Sequence, residues 1–117
     1  MPLATPAPVF TFEVEPKKDE ALVHCHGRLV LGQTKALTES MLLLFPACKR
    51  VVLDLHDVQM VDSMGLGSLV RLYVSAKAAG CRFELIHLGK QIRELLGITH
   101  LLNLLTDMAE KGITMRY

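Results

Sequence analysis

The sequence predicts a single α/β domain: a mixed β-sheet, mostly parallel in its interior with an antiparallel hairpin at one edge, flanked by α-helices. Three observations carry that expectation. Two segments near the start alternate apolar and polar residues at period two. Segments of helical period then alternate with short apolar runs. The 117 residues leave room for one domain of ordinary size and no second.

Four of the five prolines lie in the first 16 residues, so residues 1–8 are expected to form a flexible tail and residues 9–117 the domain. The run VFTFEVE from Val9 to Glu15 has the alternation of a half-buried strand. Lys17, Lys18, Asp19 and Glu20 supply a polar turn. In the second alternation Val23, Cys25, Gly27 and Leu29 share one face, with His24, His26 and Arg28 on the other, and the two segments read as a hairpin. After Gly32 the period becomes helical: Leu37, Met41, Leu44 and Phe45 lie at i, i+4, i+7 and i+8, and Pro46 ends the helix. Val51–Leu55 is a nearly unbroken apolar run, as in a central strand. Asp57–Val61 is expected to be the loop that leaves it.

A long helix is expected over Met64–Ala79, closed by Gly80, with Ser68, Arg71 and Ser75 as its polar stripe. Arg82–His87 reads as a strand and Lys90–Leu96 as a short helix stopped at Gly97. A brief edge strand is expected near Asn103–Thr106, with a last helical turn around Asp107–Lys111. The two β-α-β crossovers imply parallel pairing in the interior.

Composition narrows the function classes. Half the residues are hydrophobic and the net charge is +1, which excludes a disordered chain. Lys and Arg are scattered rather than gathered in a basic stripe, so no nucleic-acid partner is expected. No stretch approaches the roughly 18 apolar residues of a membrane span. Cys25, Cys48 and Cys81 are odd in number and lack CxxC spacing, and no basic leader precedes an apolar run. The expectation is a cytoplasmic domain with reduced thiols.

The segment most informative about function is VVLDLHDVQMVDSMGLG, Val51–Gly67. An apolar strand delivers the chain to a helix that opens at Asp62 or Ser63, both favoured N-caps. Gly65 and Gly67 each cost a helix up to about 1 kcal/mol relative to Ala, so the pair calls for a reason, one being close approach of another backbone, either within the sheet layer or from a partner. A helix N-terminus also tolerates an anion. A phosphate on Ser63 would bring roughly −1.5 to −2 charge beside Asp62, changing surface potential far more than fold. Met60, Met64 and Leu66 flank the serine as candidates for an apolar contact patch.

Asp62-Ser63-Met64-Gly65-Leu66-Gly67, after a hydrophobic strand and before an amphipathic helix, resembles the phosphorylation-site signature of STAS domains, and most closely that of bacterial anti-sigma-factor antagonists. The resemblance covers about Val9 to Leu105. It implies a STAS-like mixed sheet flanked by helices, and a non-catalytic module that binds protein through Asp62, Ser63, Met64, Gly65, Leu66 and Gly67. It further implies partners: an anti-sigma factor with serine kinase activity, which the unphosphorylated form binds so that a sigma factor is freed, and a metal-dependent serine phosphatase that resets Ser63. Many members follow the second strand with Gly-x-Leu-Asp; here the run is Gly27-Arg28-Leu29-Val30, with Val30 in place of the acid. The alternative keeps the fold without the phosphate: a STAS adaptor in a transporter-associated or multi-protein sensory complex.

Other chemistries fit less well. A nucleophile elbow needs Gly-x-Ser-x-Gly, and Val61 stands at the first glycine position; His56 and Asp57 are near Ser63 in sequence, but a triad is assembled in space. Val70 occupies the third position of a dinucleotide fingerprint. His24 and His26 have a spacing compatible with metal but no third ligand nearby in sequence, which favours a solvated face. Cys25 is expected in the core. No cofactor or metal is expected, and the oligomeric state is open.

Overall fold

A computed structural model describes residues 9–98 and 113–116, with residues 95–98 and 113–116 described by their backbone. The order is β1 (Phe10–Lys17), β2 (Glu20–Leu29), α1 (Lys35–Leu44), a 3-10 turn (Phe45–Ala47), β3 (Arg50–Val61), α2 (Ser63–Ala78), β4 (Arg82–Ile86), α3 (Lys90–Ile98) and β5 (Ile113–Arg116). The strands lie in the order β1-β2-β3-β4-β5. β1 and β2 pair antiparallel; the other three pairings are parallel. This is the predicted mixed sheet, with the hairpin at one edge and β3 at the centre.

The hairpin closes at Lys17 opposite Glu20, and Asp19 takes a positive φ of 60°, a conformation Asp tolerates better than most residues. Val23, Cys25 and Leu29 are buried, as the alternation predicts, together with Leu37, Met41 and Phe45 of α1 and Leu53, Leu55, Phe83 and Leu85 of the sheet. Leu66, Leu69, Leu72, Tyr73 and Ala76 bring α2 into the same core. The Phe45 and Phe83 rings meet edge to face at 5.7 Å, a favoured aromatic geometry. At the end of α2, Cys81 N–H donates to the Ala76 carbonyl and Gly80 N–H to that of Lys77, with Gly80 at φ 73°, so the helix stops where expected.

Two expectations are corrected. Asp57–Val61 is not a loop: β3 runs through it, pairing Val58 with Gly27, Met60 with Arg28 and Val61 with Leu29. Two register shifts put an extra β3 residue opposite β2 after His24 and again after Gly27. These bulges break the period-two pattern, leaving Val58 and Val61 buried with two exposed residues between them, and so hide the strand from a periodicity reading. The predicted polar stripe of α2 also fails at Ser68, which is buried and donates its hydroxyl to the Gly65 carbonyl at 2.6 Å. Helix α3 extends one residue past Gly97, and β5 lies at Ile113–Arg116, where no strand was expected. The expected tail at residues 1–8, the edge strand near Asn103–Thr106 and the turn around Asp107–Lys111 lie outside the described residues.

Candidate functional site

The end of β3 hands the chain to α2 through one residue, Asp62, whose backbone is extended. Its Oδ1 accepts from Gly65 N–H at 2.8 Å, satisfying an amide that the first helical turn cannot. Its Oδ2 accepts from Leu31 N–H at 2.9 Å, so the same carboxylate ties the loop after β2 to the start of α2. These amides, Gly65 first and Leu31 second, hold the Asp62 carboxyl below the usual aspartate range.

Ser63 is the first residue of α2 and is exposed. It sits where the helix dipole favours an anion, at the mouth of a shallow depression lined by Thr34, Met64, Gly67, Ser68 and Arg71. Ser63, Gly67 and Arg71 recur at i, i+4 and i+8, which places them on one helix face. No imidazole lines the depression. His56 instead faces His87 edge to face at 6.0 Å and Asp57 bonds His26, so the residues weighed as a catalytic triad are not assembled around Ser63.

The two glycines differ. A Cβ on Gly65 would overlap the Leu29 carbonyl, lying 2.9 Å from its carbon, so this glycine is what lets β2 and α2 touch. A Cβ on Gly67 would meet nothing within 4 Å; close approach does not account for it. Of the six signature residues, Ser63, Met64 and Gly67 are exposed, Asp62 is half-buried, and Gly65 and Leu66 are inside. Leu66 is 2% exposed, whereas Met60 is 43%, Met64 55% and Leu31 70% exposed. Leu66 is therefore not part of an exposed apolar patch. Leu31 and Thr34 were not singled out from sequence, because only the fold brings the loop after β2 alongside Asp62. Val30, half-buried, lies in that same loop, so the position next to the serine-bearing turn carries no acid.

The thiols are free, with Cys25 and Cys81 buried. Burial pushes the Cys25 thiol up to about 12 and the Cys81 thiol to about 11, the state of unreactive core cysteines. Among the described residues no helix is long and apolar enough to cross a membrane.

Solved structures share this architecture. An anti-sigma factor antagonist from Mycobacterium paratuberculosis superposes with a TM-score of 0.70 at 22% identity, over 87% of this chain and 86% of that one. The phosphorylated form of the Bacillus cell fate determinant SpoIIAA gives 0.65 at 13% identity, over 90% of each chain. A sulfate transporter family protein from Wolinella succinogenes gives 0.66 at 14% identity, over 82% of this chain and 76% of that one. At these identities the likeness is one of fold. The STAS domain model itself matches residues 11–113, nearly the whole described sheet together with the Asp62–Gly67 turn, and the chain belongs to the STAS domain family.

Proposed function

We propose that this domain is an anti-sigma-factor antagonist, a binding module rather than a catalyst, whose affinity for an anti-sigma factor with serine kinase activity is set by phosphorylation of Ser63. One observation carries the reading: Ser63 is exposed at the first position of α2, within a STAS signature whose Asp62 is already occupied as the helix cap. A kinase can reach such a hydroxyl, and the added phosphate changes the surface without disturbing the core. Met64, Met60 and Leu31 supply exposed apolar area around it, of the kind that marks contact surfaces. Gly65 and Leu66 act from beneath, by holding the turn against β2 and the core.

A phosphate of roughly −1.5 to −2 charge at the centre of such a contact meets desolvation and like charge. Those effects cost complexes several kcal/mol, and each 1.4 kcal/mol is about tenfold in affinity. Unphosphorylated, the domain holds the anti-sigma factor and a sigma factor is freed; phosphorylated, it lets go, and a serine phosphatase resets it in the cytoplasm. Calorimetric titration against the anti-sigma factor tests this: Ser63→Ala is expected to bind like the unmodified domain and Ser63→Asp to bind at least tenfold more weakly. Equal affinities would overturn the reading.

A second reading, an adaptor in a transporter-associated or sensory complex that is never phosphorylated, is favoured by two observations. Val30 stands where an acid accompanies the phosphorylated serine in many STAS domains, and the fold is also that of a sulfate transporter family protein.

A further inference from the structure

His24 and His26 stand on a partly exposed face of the sheet, as expected, and among the described residues no group of three or more His, Cys, Asp or Glu is placed to hold a metal ion. They are the middle rungs of a charge ladder that crosses the sheet. His26 Nε2 lies 2.5 Å from Glu13 Oε2 on β1, and its Nδ1 lies 2.6 Å from Asp57 Oδ2 on β3. His24 lies 3.0 Å from Glu15 Oε2 on β1 and 3.9 Å from Asp54 Oδ2 on β3. Beyond β4, His87 Nδ1 meets Asp54 Oδ1 at 2.9 Å. The first bulge of β3 makes this possible, because the extra residue puts Asp57, not His56, opposite His26.

The chemistry of the ring decides what this geometry means. A neutral imidazole has one N–H and one lone pair, and an ionised carboxylate only accepts. Both nitrogens of His26 face carboxylate oxygens, so both bonds exist together only when the ring carries its second proton. We propose that His26 is a proton-operated tie between the edge strand β1 and the central strand β3, closed when the imidazole is charged and half-open when it is neutral. Glu13 from β1 and Asp57 from β3 face it directly; farther along the ladder lie Glu15 against His24, with Lys17 near Glu15, Asp54 of β3 between His24 and His87, and His56 against the His87 ring. Four carboxylates thus surround rings that balance them only when charged. Consistent with this, the hydrogen bonds that Asp57 and then Glu13 accept from the ring raise His26 above the ordinary histidine value. The tie is therefore complete below that ordinary value and is lost as pH rises through the raised one.

Two measurements on the full chain test the tie. Nitrogen NMR of His26 at about pH 6 is expected to show both ring nitrogens protonated, and a neutral ring there would overturn it. Amide exchange of β1, corrected for intrinsic rates, is then compared at about pH 6 and about pH 8.5. Wild type is expected to open severalfold more often at the higher pH, while His26→Gln and Asp57→Asn lose that pH dependence. Identical pH dependence in wild type and either folded variant would also overturn it.

Discussion

At the scale of single residues, the turn into α2 depends on two side-chain decisions, one of which is the absence of a side chain. Gly65 allows the Leu29 carbonyl to rest on the helix, and the obstructing atoms are backbone, which cannot swing aside. Gly65→Ala is therefore expected to destabilise the fold by about 2 kcal/mol or more, in the range of an overpacked core. Gly67→Ala, with open space around it, is expected to be neutral or to stabilise by up to about 1 kcal/mol through helix propensity. Denaturant unfolding of the pair separates close approach from propensity, and equal losses would refute the distinction. Asp62→Ala removes both the Gly65 cap and the Leu31 tie; a loss of about 1 kcal/mol follows from the cap alone, with faster amide exchange at Leu31. From sequence the cap was legible because Asp before a helix has one dominant use, but it was shared with Ser63 as an alternative. The second hydrogen bond, to Leu31, was not legible, since its partner is 31 residues away. Glu84 shows the same limit: it is buried, 3.2 Å from Arg82 Nε on its own strand and 2.6 Å from the Arg50 guanidinium on β3, and no local pattern announces the second contact.

At the scale of elements, legibility follows the regularity of the period. β2 and α1 repeat cleanly, and Val23, Leu37 and Met41 are buried as read, whereas α2 was read less well, since Ser68 of its expected polar stripe is buried. β3 was half read. Its first part is an apolar run, but beyond Asp54 two bulges shift the buried positions out of alternation, and the run DVQMV then looks like a loop. The difference is measurable. Amides of Val58 and Val61 are expected to exchange far more slowly than loop amides, because both residues are buried and their stretch of β3 is paired with β2. Rapid exchange at both would return the segment to a loop. The extension matters for function, since it carries Asp62 to the end of a rigid strand rather than leaving Ser63 on a mobile connection.

At the scale of the whole molecule, the fold places two proton-sensitive features in different parts of the sheet's surroundings. On the acid side, the Asp62 carboxyl is held low by the Gly65 and Leu31 amides. Asp54, although partial burial opposes it, is held low by the His56 amide and then by His87. Groups depressed in the folded state contribute fully above their ordinary values and lose that contribution as pH falls through the depressed ones. Stability is therefore expected to decline below about pH 4. Asp62→Asn should flatten that decline in a urea series, and an unchanged acid limb would count against the role of Asp62. The family was legible because six consecutive residues combine a cap, a hydroxyl and two glycines at the junction of a strand and a helix. The parts of the surface around Ser63 contributed by Leu31 and Thr34 were legible only once the fold had assembled them. The central claim is that this one exposed hydroxyl is the control point. Intact-mass spectrometry with site mapping, on the protein recovered from its native cell across growth and stress conditions, tests it most directly. The account predicts a fraction heavier by one phosphate, mapped to Ser63 and abolished by Ser63→Ala. A phosphate mapped elsewhere, or none under any condition, would contradict it.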